Sequence, residues 1–95
     1  MNIYMFTVQL ATWPRKFISK QGQYYVYCFV KVPNPKKGKG YYYLYSIAAE
    51  EIGENLMHLY NKGDYLIIEG KIQKSKITKK MQLNIMKDYP IILSA

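Results

Sequence analysis

The sequence predicts an all-β barrel of five strands, with one helix between the third and the fourth. Two observations carry that expectation. Apolar residues alternate with a period of two in separate short stretches across the chain, while only residues 52–60 show helical spacing. Clusters of Gly, Pro, Asn and Lys fall between those stretches, where turns belong.

The first strand spans residues 3–12, with Tyr4, Phe6, Val8 and Leu10 on one face and Thr7 and Gln9 on the other. Thr12-Trp13-Pro14-Arg15 interrupts it, because proline removes a ladder donor and restrains its predecessor. Trp13 would either stack on a ligand or cap the barrel, and capping is the preferred reading. Phe17 and Ile18 resume the strand before a turn at Lys20-Gln21-Gly22. In the second strand, Tyr24–Val32, the face Val26, Cys28, Val30 and Val32 suits a core. The opposite face holds Tyr25, Tyr27, Phe29 and Lys31. Adjacent rings turned to solvent need a partner, a subunit or a ligand.

Pro33-Asn34-Pro35 ends that strand, and a basic loop leads to the third, Tyr41–Ile47, antiparallel to the second. Ala48-Ala49-Glu50-Glu51 then opens a helix, with acidic residues where the helix dipole favours them. Ile52, Leu56, Leu59 and Tyr60 form its apolar stripe, and Lys62-Gly63 is the expected stop. Gly53 either weakens the helix or marks close packing. The fourth strand covers 64–77, with a bulge expected at Glu69-Gly70. Thr78-Lys79-Lys80 turns the chain into a fifth strand through Met81, Leu83 and Ile85 that ends near Asp88. Residues 89–95 read as an apolar tail.

Ninety-five residues make one domain with a modest core. The net charge of +8 points to a polyanion, either nucleic acid or an acidic membrane surface. No apolar run approaches the roughly 20 residues that span a bilayer, and residues 1–12 lack the pattern of a secretory leader. A lone Cys28 excludes an internal disulfide framework and fits a reducing compartment. Lysine supplies 13 of the 14 basic residues, with Tyr and Ile at 11 each, a mix typical of AT-rich organelle or reduced bacterial genomes.

The strongest functional signal is Lys36-Lys37-Gly38-Lys39-Gly40-Tyr41-Tyr42-Tyr43-Leu44-Tyr45. Alternation puts Tyr41, Tyr43 and Tyr45 on one face and Tyr42 and Leu44 on the other. Rings at a two-residue spacing accept unstacked bases, at about 1–3 kcal/mol each, while Lys36, Lys37 and Lys39 meet phosphates. Joined to Tyr25, Tyr27, Phe29 and Lys31 they make a basic aromatic surface, for which a subunit interface is the alternative reading. Lys74 and Lys76 are weaker additions, since Lys71 falls on the opposite strand face. Setting aside residues 49–62, which hold three of the acidic residues and one lysine, leaves a net charge of +10 on the strands and loops. No paired carboxylates stand outside the helix, His58 stands alone as a surface residue, and no metal or cofactor ligand set is present, so no catalysis is expected.

The order β-β-β-α-β-β is that of an OB-fold, in which the second and third strands and adjoining loops bind single strands. Glu54-Asn55-Leu56, then Tyr60-Asn61-Lys62-Gly63-Asp64 and Glu69-Gly70-Lys71-Ile72-Gln73, resemble the bacterial-type single-stranded-DNA-binding protein family, most closely its short plastid-encoded members. The likeness spans nearly the whole chain, including Pro14 after the first strand and Asp88 near the end of the fifth. It implies a base-stacking aromatic at Tyr43. Two further stacking positions of the family fall on Ala49 and Ile77, neither aromatic. The family's long hairpin between strands four and five is a short turn at Lys79-Lys80, and no acidic-tipped tail follows up to Ala95. The expected activity is sequence-independent binding of single-stranded DNA in replication, repair or recombination. RNA binding or a primosomal-type protein adaptor are the alternatives. The resemblance further implies a homodimer or homotetramer, in a plastid or bacterial cytoplasm and off the membrane.

Overall fold

In the structure, a computed structural model, residues 2–33, 40–76 and 78–91 are described. They form β1 (Tyr4–Leu10), β2 (Arg15–Ile18), β3 (Tyr24–Pro33), β4 (Tyr41–Ala49), α1 (Glu50–Leu59), β5 (Tyr65–Lys74) and β6 (Met81–Pro90). β1 and β2 are the two parts of the first expected strand. The sheet order is β1-β5-β6-β4-β3-β2, and a β1–β3 pairing closes five of the strands into a barrel. All pairings are antiparallel except β4–β6. β2 lies outside the ring of five, hydrogen-bonded to β3 alone.

The alternation read in the sequence becomes an inside and an outside. Val8 and Leu10, Val26 to Val32 on alternate positions, Leu44, Ala48, Leu66, Ile68, Leu83 and Ile85 fill the barrel. Cys28 is among them, and burial pushes its thiol up to about 12. Helix α1 closes one end by inserting Leu56, fully buried. At Gly53 the helix crosses β3 so closely that a Cβ would meet Val26 Cγ2 at 2.9 Å, so close packing is the reason for that glycine. The bulge falls between Glu69 and Gly70, where the β5–β6 register slips.

Several boundaries differ from the sequence reading. The helix ends at Leu59 rather than Lys62, because Tyr60 leaves helical geometry and turns into the core. Its hydroxyl donates to Asp88 Oδ2 at 2.9 Å, and Asn55 Nδ2 donates to Asp88 Oδ1 at 3.4 Å, tying α1 to β6. Leu59 consequently points outward, 59% exposed, and is no part of the apolar stripe. Lys62-Gly63 forms the turn into β5 instead of the helix stop. β5 ends at Lys74, and β6 runs on to Pro90 because β5 still offers partners, Leu66 opposite Pro90 and Ile67 opposite Tyr89. That takes residues 89 and 90 out of the expected tail, of which residues 92–95 lie outside the described residues. Trp13 is 56% exposed and does not cap the barrel. No helix among the described residues is long and apolar enough to cross a membrane.

Candidate nucleic-acid interface

Register decides which rings share a face. Across β3 and β4, Phe29 stands opposite Tyr45, Lys31 opposite Tyr43 and Tyr27 opposite Ile47. Directly paired residues project to the same side of a sheet, so Tyr25, Tyr27, Phe29, Lys31, Tyr41, Tyr43 and Tyr45 all lie on the outer face. β2 adds Phe17 opposite Tyr25 and Arg15 opposite Tyr27. On the other flank β6 sets Gln82 opposite Tyr45 and Asn84 opposite Ile47.

The rings touch in a chain. Tyr25 and Phe17 have centroids 5.4 Å apart, Phe17 and Tyr27 5.8 Å, Tyr27 and Tyr45 6.0 Å, and Tyr45 and Phe29 5.6 Å. Exposure divides them. Tyr25, Tyr27 and Tyr45 are half-buried and form a floor, and burial raises the Tyr45 phenol pKa, with Tyr27 adding to it, so the ring stays neutral. Tyr43, Tyr41, Phe29 and Phe17 stand above that floor, with Tyr43 61% exposed. Lys31 Nζ lies 4.8 Å from the Tyr41 ring centre, a cation–π contact that leaves its charge on the surface.

A groove of about 960 Å³ runs over this face, lined by Phe17, Phe29, Tyr42 to Tyr45, Ile47, Ser75, Thr78 and Lys80 to Gln82. Its far wall is the β5–β6 turn. That turn is held by Ser75 N donating to Lys80 O at 2.8 Å and Lys79 N donating to Ser75 O at 3.0 Å. The short turn thereby carries Lys80 to the groove. No Asp or Glu is among the described residues lining it. The carboxylates of α1 are elsewhere. Glu54 takes hydrogen bonds from Lys16 Nζ and sits 3.0 Å from His58 Nε2, both on the helix side.

Against the sequence reading, the seven residues of β3 and β4 named above are brought together. Lys74 and Lys76 are exposed, but Lys74 pairs with Met81, whereas Lys71 and Gln73 pair with Asn84 and Gln82 on the outer face. Lys36, Lys37 and Lys39 lie outside the described residues, as does Ile77. Tyr42, assigned by alternation to the other face, reaches the groove because β4 pairs with β6 only at Tyr45–Ile47, leaving its first residues at an open edge. Phe17, Lys80 and Gln82 are additions. The adjacent pair Lys79-Lys80 was a visible signal, whereas Phe17 depends on register with Tyr25. Among the described residues no three His, Cys, Asp or Glu side chains gather to hold a metal.

No protein-family model matches this sequence, and no curated protein does. Solved structures do match. The chain superposes on the SSB domain of a Synechococcus sp. protein with a TM-score of 0.81 and 13% identity, covering 94% of each chain. A small single-stranded DNA-binding protein from Streptomyces coelicolor matches with a TM-score of 0.78 and 13% identity, over 97% of this chain and 96% of that one. A deletion mutant of the single-stranded DNA binding protein from Thermus aquaticus gives a TM-score of 0.81 and 18% identity, all of this chain matching 43% of that one. At such identities the likeness is one of fold, and the fold is the OB-fold.

Proposed function

We propose that the outer face of β3 and β4 binds single-stranded DNA without sequence preference, by base stacking on tyrosine and phenylalanine rings and by lysine contacts to phosphates. The observation that carries this reading is the row of touching rings on β3 and β4, of which Phe29 and Tyr45 line, together with Tyr43, a groove that has no Asp or Glu among its described lining residues. Ring centres 5.4–6.0 Å apart exceed the rise of about 3.4 Å per nucleotide along a duplex strand. Bases must therefore part from their neighbours to use successive rings, which a single strand does readily and a duplex does not. The solved neighbours named for single-stranded DNA binding support the same reading. The role that follows is protection or organisation of exposed strands in replication, repair or recombination, inside the cell, by a homodimer or homotetramer. Exposed Met5, Leu59 and Tyr65, away from the groove, are surfaces that self-association would cover.

The test is anisotropy of labelled oligo-dT, oligo-rU and duplex at two salt concentrations. Single strands should bind well above duplex. Tyr43→Ala should weaken oligo-dT binding about 5- to 150-fold, the range for one stacking contact. Tyr65→Ala, equally exposed but remote from the groove, should leave it unchanged. Equal binding to duplex, or indifference to Tyr43→Ala, would show the reading to be wrong.

A further inference from the structure

We propose that β2 carries an additional nucleotide subsite, with Phe17 stacking a base and Arg15 holding its phosphate, so that the bound strand runs past β3 and leaves the molecule over the β2 edge. This rests on the single-strand reading above and adds to it a route and a length.

β2 is an edge strand whose two faces do different things. Lys16 points to the helix, donating to Glu54 Oε1 at 3.0 Å and lying 4.3 Å from the Tyr24 ring centre. Arg15 and Phe17 take the other face, paired with Tyr27 and Tyr25. Arg15 is exposed, and among the described residues it forms no ion pair. Phe17 lies nearly parallel to Tyr25, with an interplanar angle of 24°, yet remains 37% exposed and lines the groove. Exposed apolar side chains are ordinary on a protein surface, and what distinguishes Phe17 is its place in a row of rings. It continues the chain of rings, because the step from Tyr27 to Phe17 is 5.8 Å and the step from Tyr45 to Tyr27 is 6.0 Å. A strand seated on Tyr45 thus meets Phe17 two ring steps later. There the guanidinium, two residues along the same face, offers a planar fork suited to phosphate oxygens.

The experiment is a length series of oligo-dT from about 4 to 16 nucleotides, the span of OB-fold site sizes. It is run on the wild type, Phe17→Ala, Phe17→Tyr and Arg15→Ala, with folding checked by circular dichroism. The shortest strands should bind all four alike. The longer strands should bind Phe17→Ala about 5- to 150-fold more weakly, so that its affinity stops rising at a shorter length than the wild type. Phe17→Tyr should restore the wild-type curve. Arg15→Ala should flatten the log–log salt slope by about 0.7 for long strands and leave it intact for short ones. Phe17→Ala and Arg15→Ala curves that match the wild type at every length, or fall equally at every length, overturn the subsite while the single-strand reading stands. A wild type that binds no oligonucleotide overturns both.

Discussion

A Cβ built on Gly70 would stand 2.4 Å from the Asn84 carbonyl oxygen and 3.0 Å from Leu83 Cδ1, at the bulge where β5 slips against β6. The obstacle is backbone and cannot rotate away. Gly70→Ala should therefore destabilise at the upper end of the overpacking range of about 1–3 kcal/mol, read as a lower urea midpoint. Gly53→Ala is the contrasting case. There the nearest neighbours are Val26 Cγ2 at 2.9 Å and Val26 Cβ and the Ala48 carbonyl oxygen at 3.1 Å, a milder overlap than at Gly70, and alanine regains about 1 kcal/mol of helix propensity. Its midpoint should fall less. The bulge glycine was legible in the sequence because it interrupts a run of alternating strand residues. Phe17 was not legible as a site residue, since the four residues of β2, Arg15–Ile18, are too few to show which face they take. Only pairing with Tyr25 reveals it. Leu59 misleads for a related reason: spacing alone places it on the stripe, and the chain leaves the helix there.

Among the elements, α1 is held at two places of different character. Toward β6, Tyr60 and Asn55 share the Asp88 carboxylate, and burial together with that hydrogen bond raises the Tyr60 phenol pKa far above the working range. Toward β2, exposed Glu54 joins Lys16 and His58. The Lys16 hydrogen bond, then that of His58, holds the Glu54 carboxyl below its ordinary value of 4.5. A carboxylate shifted down contributes stability above its unfolded pKa and loses it as pH falls through the folded one. Glu54→Gln should therefore melt slightly below the wild type at neutral pH, and the two curves should merge in acid well below 4.5. A difference that persists in acid would mean the glutamine disturbs something other than charge. The order of strands and helix was legible here from period alone, and their ends were not. Where α1 and β6 stop depends on Asp88 and on β5, far away in the chain.

For the whole molecule, charge is sorted by side. Lys31 and Lys80 flank the ring band on β3 and on the β5–β6 turn, while Glu50, Glu51 and Glu54 lie on α1. Counterion release then predicts a log–log salt slope that loses about 0.7 for each phosphate contact removed. Lys31→Ala with Lys80→Ala should flatten it by about 1.4 on that basis, measured with oligo-dT at several salt concentrations. An unchanged slope would place the phosphates elsewhere. The pairing of β1 bears on how the molecule is made. Its ladder partners run from Tyr4 opposite Gly70 to Gln9 opposite Tyr65, whereas β3 and β4 meet across a local loop. At about 5–20 residues per second of synthesis, the roughly 60 residues that separate the end of β1 from the end of its ladder take about 3–12 s to appear. For that interval β1 can pair only with β3, at Gln9 and Leu10. The strands that carry the ring face, β2, β3 and β4, are thus made before β5 and β6, the two strands that close the barrel. Translation speed through residues 11–70 governs how long the rest of β1 waits for its β5 partner.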